Sequence, residues 1–320
     1  MGRKCDVMHD FYNYIFKKII YIFLLLITVI IVSFFSLKII PGDPVSSFFG
    51  SKQPSPEERK ICEKKLGLDK SLDEQFKIYL KNIFKFDFGN SYRGDHKKSL
   101  ILFWNSFKLT FLLVFFSCIF GSLIGIFCGS LGALWQNTKK SFILDLIFLF
   151  LFSTPTFIIG FALQYFLAYH FKFFPISGFN DIQSLFLPIL TLSLVMASSL
   201  FKITYNNMVE ILKQPYILTA YAKGLSKWTV LFKHSLKNAL IPILAQIGLI
   251  LSSFISGTII TEYTFNLNGI GKLIIRSFQD RDFPVLQCCI ILLAVFISIF
   301  NLLLDFLYFW LNPKINFKKT

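Results

Sequence analysis

Charge is scarce in this sequence, and acid is scarcest of all. Of 320 residues, 18 are Asp or Glu against 33 Lys or Arg, and charged residues make up 16% of the chain. Soluble domains carry about a quarter, so a highly charged, solvated surface is excluded. Histidine occurs four times, at His9, His96, His170 and His234, scattered along the chain with no H-E-x-x-H. That leaves no metal site. No G-x-S-x-G is present, and no convergent nucleophile and base. The six cysteines, Cys5, Cys62, Cys118, Cys128, Cys288 and Cys289, form no C-x-x-C pair. Most lie in apolar runs and read as small buried hydrophobes, while Cys62 stands alone in a polar stretch and offers no disulfide framework. A phosphate-binding G-x-x-x-x-G-K-[ST] is also missing. Its nearest relative is Gly269-Ile270-Gly271-Lys272-Leu273, where Asn266 replaces the first Gly and Leu273 the Ser/Thr. No catalytic residue, metal or cofactor is expected, and the chain carries no ATPase of its own.

What the chain has in excess is apolar length. It is 54% hydrophobic with 41 phenylalanines, a composition that points to a bilayer as solvent, with membrane lipid as a partner. Spanning the hydrocarbon takes about 20 apolar residues in a helix. Six stretches qualify: Ile19–Leu37, Leu109–Leu134, Phe142–Tyr169, Phe186–Ile203, Leu240–Thr261 and Val285–Leu304. The first is too long for a signal-peptide core and no A-x-A site follows it. The expected fold is an all-α membrane protein with six transmembrane helices, a small extracytoplasmic helical segment and a cytoplasmic loop.

The formal charge of +15 is explained by topology, so no nucleic-acid partner is inferred. With the N-terminus inside, fifteen Lys/Arg fall in cytoplasmic short segments, six of them between Lys202 and Lys237, against four outside: Lys172, Lys272, Arg276 and Arg281. This places both termini in the cytoplasm. It divides the chain into a cytoplasmic N-terminus with the first span (1–37), an extracytoplasmic helical segment (38–108), a five-helix core (109–311) with a cytoplasmic loop at 204–239, and a cytoplasmic tail (312–320).

The 38–108 segment has helix signals of its own. Ser55-Pro56-Glu57-Glu58 sets Ser at N-cap, Pro at N1 and Glu at N3, with Gly67 as the stop. Ser71 and Glu74 repeat the capping box, followed by a stripe of Leu72, Phe76, Tyr79, Leu80 and Ile83. Within the spans, Gly121, Gly125 and Gly129 recur every four residues, as do Gly248, Ser252 and Ser256. Such stripes let helix backbones approach closely, inside the chain, against a second subunit or along a pathway. Pro155, beside Ser153 and Thr154, predicts a kink in the third span. Asp145, Asp305 and Glu262 lie near span ends, where a structural role is expected rather than a proton relay.

One stretch is out of place between apolar spans: TAYAKGLSKWTVLFKHSLKNALIP, Thr219 to Pro242, with four lysines and a histidine. Pro215 can start a short helix that Gly224 ends. Ser226 can cap a second, with Leu225 and Val230 as a hydrophobic staple. Trp228, Leu231, Phe232 and Ser235 then share one face. A plain topology-setting loop needs neither Trp228 nor an apolar stripe, so this helix–Gly–helix knob is read as a docking element.

The stretch resembles the coupling loop of ABC importer permeases of the dipeptide/oligopeptide branch, of the type with a large extracytoplasmic segment after the first span. PGDPV at 41–45, LGLDKSLDEQFKIYLKNIFKFDFGNSY at 66–92, STPTF at 153–157, TEYTFNLNGIGKL at 261–273, RDFPVLQ at 281–287 and NLLLDFLYFWLNPKI at 301–315 are similar to that family's sequence in the same order. Leu218, Tyr221 and Asn312 depart from it, standing where Glu or Arg, Arg and Asp are common. The resemblance implies a peptide importer. Its partners would be a second homologous permease, two ATP-binding ATPase subunits and an extracytoplasmic solute-binding protein. ATPase coupling would fall to Thr219, Ala220, Lys223, Gly224, Leu225 and Trp228, and the translocation pathway to Ser252, Ser253 and Ser256, which are small and polar. Permeases for nickel chelates or small glycosides are related alternatives. A proton-coupled secondary transporter would need midplane carboxylates or inverted repeats, and the sequence offers neither.

Overall fold

The computed structural model describes residues 2–39, 45, 49, 54–93, 96–179 and 181–311. The side chains of 2–12, 37–39, 65–66, 252–256 and 307–311 lie outside the description. Most of the PGDPV stretch at 41–45 and all of 312–320 fall outside it as well. Among the described residues there is no β-strand, only an isolated bridge between Asn90 and Lys98. The chain divides into two compact units, Met1–Leu109 with Gly269–Leu302, and Thr110–Asn268 with Leu303–Thr320.

The first unit begins with α1 (Gly2–Ile39), which contains the first span. The helix α2 (Pro56–Leu66) starts as the sequence dictates. Ser55 is extended, its hydroxyl accepts from the Glu58 N–H at 3.3 Å, and the Ser55 N–H donates to Glu58 Oε2 at 2.8 Å. Gly67, at φ 66°, ends the helix in the left-handed conformation that a Cβ disfavours. Helix α3 (Leu72–Phe84) is capped by Ser71, whose hydroxyl accepts from Glu74 N–H at 3.4 Å. Its aromatic stripe lies on the end of the first span. Phe76 meets Phe34 edge-on at 5.1 Å, and Tyr79 OH shares a 3.0 Å hydrogen bond with Ser33 Oγ.

A long helix, α4 (Ser99–Leu134), carries the second span. Its first turns enter the first unit's core, where Phe103 packs with Val285, Cys288, Cys289 and Leu292. Phe107 and Phe296 stack beside them at 4.6 Å. Burial of Cys288 and Cys289 fits their reading as small hydrophobes.

In the second unit, the glycine stripe of α4 packs internally against α7 (Phe186–Leu212), the fourth span. A Cβ on Gly121 would come within 2.9 Å of Ser193 O, on Gly125 within 2.8 Å of Ala197 O, and on Gly129 within 2.9 Å of Phe201 O. Only residues without a Cβ permit that approach. Helix α7 is the most covered span, with 67% of its apolar window buried against 11% for the first span.

The third expected span differs most from a kinked helix. It is split into α5 (Lys139–Ser153) and α6 (Thr156–Leu163), with a π-helical turn at Gln164–His170, and the two halves meet at 107°. Pro155 has no N–H to continue the ladder, and Thr154 before it is forced extended, at φ −88° and ψ 128°. A 15-residue helix is about 22 Å long and too short to cross about 30 Å of hydrocarbon. The pair is therefore one broken span or a re-entrant element. Its far end is pinned by Gln164, whose amide donates to Ile176 O at 2.9 Å and Thr264 O at 3.3 Å.

Two of the three span-end acids, Asp145 and Glu262, make structural contacts. Asp145 pairs with Lys202 at 3.1 Å, next to Phe148 and Phe201 stacked at 4.3 Å. Glu262 is fully buried and accepts from Thr110 Oγ1 at 2.6 Å.

Candidate functional site

The knob is built from local chemistry. Gln214 is extended, as a residue before proline must be, and Pro215 opens α8 (Pro215–Ala222) at N1. The helix closes in a Schellman turn: Gly224 N–H donates to Tyr221 O at 2.9 Å and Leu225 N–H to Ala220 O at 3.3 Å. Gly224 sits at φ +78°, and a Cβ there would meet nothing within 4 Å. Its requirement for glycine is therefore conformational and not steric.

Ser226 then caps the next helix, accepting from Thr229 N–H at 3.2 Å. The short α9 (Lys227–Thr229) passes through a π-helical stretch, Val230–Ser235, straight into α10 (Leu236–Thr264). The second knob helix and the fifth span are thus continuous. No loop intervenes between Ser226 and the span, although a π-helical stretch and Pro242 do. Asn238 Nδ2 donates to Tyr216 OH at 2.8 Å and ties α8 to the root of α10.

The knob has its own small core of Ile217, Ala220 and Val230, flanked by Leu212 and Tyr221. This places Ala220, expected among the coupling residues, inside the knob at 8% exposure. Its small side chain admits Ile217 and Val230, not an external groove. The expected face of Trp228, Leu231, Phe232 and Ser235 is also divided. Leu231 and Ser235 are buried, whereas Trp228 and Phe232 are exposed and stacked at 5.8 Å with rings 2° apart. The i→i+5 register of a π-helix explains the split. Val230 is buried while Leu225 stays exposed, so the two are not jointly sequestered as a staple would be.

Thr219, Lys223, Gly224, Leu225 and Trp228 all lie on the knob surface. Trp228 is 51% exposed. Lys213, Lys223, Lys227, Lys233 and Lys237 surround them, and no Asp or Glu occurs between Glu210 and Glu262. The surface is uniformly cationic around an exposed aromatic pair. Ser252, Ser253 and Ser256 lie within α10, but their side chains are outside the described residues.

A second cluster was visible in the sequence only as two separate fragments. A hairpin at 89–99 carries Ser91 and Tyr92, and helix α12 (Phe283–Leu311) follows Asp282. Ser91 Oγ donates to Asp282 Oδ2, and Tyr92 N–H donates to Oδ1 at 3.1 Å. Burial pushes the Asp282 carboxyl above its ordinary value, against the pull of these hydrogen bonds and one from Val285 N–H. Gly89, at φ +77°, lets the hairpin lie against Pro284. Beside it is a cavity of about 400 Å³ with a mixed lining, polar at Asn82, Asp87 and Gln287 and apolar at Phe34, Ile83 and Phe88. Among the described residues no group of three His, Cys, Asp or Glu could hold a metal.

This arrangement of long apolar helices is the fold of an ABC transporter permease. The structure matches the membrane chain in inward-facing forms of the MetNI methionine ABC transporter, with a TM-score of 0.58 and 17% identity over 67% of this chain and 97% of that one. At that identity the likeness speaks for the fold alone. Sequence carries the assignment further. Residues 121–317 match the family described as binding-protein-dependent transport system inner membrane component, and residues 11–114 match its N-terminal counterpart. The chain belongs to this family of transport permeases. It is 31% identical to the dipeptide transport system permease protein DppB of Lactococcus lactis, over 95% of this chain and 99% of the relative. It is 32% identical to the glutathione transport system permease protein GsiC of Pectobacterium atrosepticum, over 96% and 99%. As a membrane component of such a system, it works with separate ATPase and binding-protein subunits.

Proposed function

We propose that the chain is one of two membrane subunits of a peptide importer, and that its partner subunit is a homologous permease. Relatives named for dipeptide and glutathione transport, matched over nearly their full length, support a peptide cargo. Nickel chelates and small glycosides remain the related alternative. The fifteen-to-four distribution of Lys and Arg supports cytoplasmic termini in an inner membrane. Under that orientation the knob faces the cytoplasmic ATPases and the 38–108 segment faces the binding protein. The core at 109–311 carries the pathway.

The observation that carries this reading is the knob: a cationic surface with an exposed Trp228, fixed by a Schellman turn and continuous with the fifth span. Such a surface suits an acidic groove on the ATPase subunit. Closure of the two ATPases would push the knob as a rigid body, and α10 would carry the motion into the membrane. Ser252, Ser253 and Ser256 on that helix are the proposed pathway residues. They pass varied side chains because they are small and weakly polar.

A photocrosslinking amino acid at position 228 tests the docking role. It should form adducts with the ATPase subunit. Adducts only with lipid or with this chain would refute the assignment. Reporter fusions at Asn137, Gln214 and Asn316 should read cytoplasmic, and at Gln53, Asn180 and Gln279 external. A cytoplasmic signal at Gln53 would reverse the orientation.

A further inference from the structure

Within the first unit a cleft of about 710 Å³ runs beside the first span. One wall is α1, from Thr28 to Ser36. The others are the start of α12 and the helix α11 (Ile270–Gln279). Its apolar lining includes Val29, Val32, Ile274, Ile275, Leu286 and Ile290.

The hydroxyls of the cleft are committed elsewhere, which leaves the amides of Gln279 and Gln287 as its other polar groups. Thr28 Oγ1 donates to Leu24 O at 2.9 Å, Ser36 Oγ donates to Val32 O at 2.6 Å, and Ser33 bonds Tyr79 OH. An occupant therefore finds hydrocarbon and few open hydrogen-bonding groups. From Thr28 to Ser36 the wall is about 12 Å long, close to half of a hydrocarbon core of about 30 Å. The end near Ser33 lies beside Tyr79 of the 38–108 segment. Gln287 lines both this cleft and the neighbouring cavity, so the two adjoin at that end.

Two arginines stand near the rim, and the one acid exposed between them, Asp280, is paired with Arg93 at 3.9 Å. Helix α11 turns Ile274, Ile275 and Phe278 toward the cleft and leaves Arg276 exposed, with Arg281 exposed just beyond its end. The ion pairs among the described residues involve neither arginine. An amphipathic helix with arginine on its polar face sits at the plane of lipid headgroups. A transmembrane helix of a partner, about 10 Å across with its side chains, would need a seam running the depth of the bilayer. This cleft is one leaflet deep.

We propose that the cleft is a binding site for one acyl chain of an anionic phospholipid, from the leaflet next to the 38–108 segment, with Arg276 and Arg281 holding its phosphate. The lipid fills the space between the first span and α11 and braces the least covered of the five unbroken candidate spans among the described residues. The site is defined relative to the 38–108 segment, so it stands whichever way the protein crosses the membrane.

The test uses the whole transporter complex in nanodiscs containing phosphatidylglycerol with a diazirine on its acyl chain. Adducts are mapped by mass spectrometry after illumination. Phe23, 62% exposed on the same helix and outside the cleft, reports ordinary annular lipid. Labelling at Val29, Ile275 and Ile290 should exceed that at Phe23 by roughly tenfold, a 1.4 kcal/mol preference. Val32→Trp, which fills the cleft, should abolish the excess and leave Phe23 labelling and permease pairing unchanged. Arg276→Gln, at an exposed position that folding tolerates, should remove the preference for phosphatidylglycerol over an identical phosphatidylcholine probe. Cleft labelling equal to that at Phe23, or headgroup selectivity unaffected by Arg276→Gln, would overturn the proposal. Loss of the second permease on Val32→Trp, with lipid labelling intact, would overturn it in favour of a protein occupant.

Discussion

Gly224 offers a sharp test of the coupling assignment, because its environment separates conformation from bulk. A Cβ added there has open space for 4 Å, so a steric account predicts that alanine is harmless. The backbone account predicts otherwise. At φ +78° an alanine pays about 1 kcal/mol for the left-handed region, asparagine pays less, and a β-branched valine pays more. That cost is set against the Schellman turn's two hydrogen bonds, at about 1 kcal/mol each, and each substitution lowers the population of the turn in step with its penalty. A net shift of about 2 kcal/mol corresponds to a roughly thirtyfold loss in the population of correctly placed knob. Transport coupled to ATP hydrolysis in proteoliposomes should therefore rank Gly above Asn, Asn above Ala, and Ala above Val. Membrane insertion and permease pairing should stay intact throughout. Equal transport by Gly224→Val and the parent would refute the coupling role. Equal defects in the Asn and Val variants would refute the conformational argument.

Trp228→Ala should weaken co-purification of the ATPase while leaving the permease's thermal stability unchanged, since the ring is exposed. Ala220→Trp should lower thermal stability as well, because Ala220 packs against Ile217 and Val230; an unchanged melting temperature would contradict that placement. Gly125→Leu should destabilise the solubilised permease by about 1–3 kcal/mol, because the new side chain meets the α7 backbone. A stable Gly125→Leu would show that α4 and α7 do not approach as described. Asp282 titrates above its ordinary value when folded, so the folded state holds its proton longer than the unfolded one. The site's contribution to stability thus falls as pH rises from the ordinary carboxylate value through the raised one. Asp282→Asn should flatten that slope in thermal-shift measurements made upward from the ordinary carboxylate value near about pH 4, and an identical slope in both proteins would contradict it.

Features set by neighbouring residues were legible in the sequence. Ser55, Pro56, Glu58 and Gly67 start and stop α2 as their chemistry requires. Pro215, Gly224 and Ser226 punctuate the knob in the same way. Features set by distant partners were not. The glycine spacing of α4 announced a close helix contact but could not name α7 as the neighbour. Pro155 announced an interruption. The 107° angle depends as well on the anchoring of Gln164 near Thr264, a hundred residues away. Leu231 and Ser235 turn away from Trp228 because a π-helical stretch shifts the phase that an α-helical count assumes, and Ala220 faces inward because Val230, from the next helix, packs on it. Ser91 and Asp282, 191 residues apart, meet through tertiary structure that no local pattern encodes.

The central claim is that this chain forms part of an ATP-driven pathway for peptides. The direct measurement is uptake of a labelled dipeptide into proteoliposomes containing this chain, its paired permease and both ATPases, with binding protein supplied on the opposite side. Uptake should require ATP, stop with vanadate, and vanish when this chain is omitted. Uptake driven by a proton gradient without ATP, or persisting in the absence of this chain, would contradict the account.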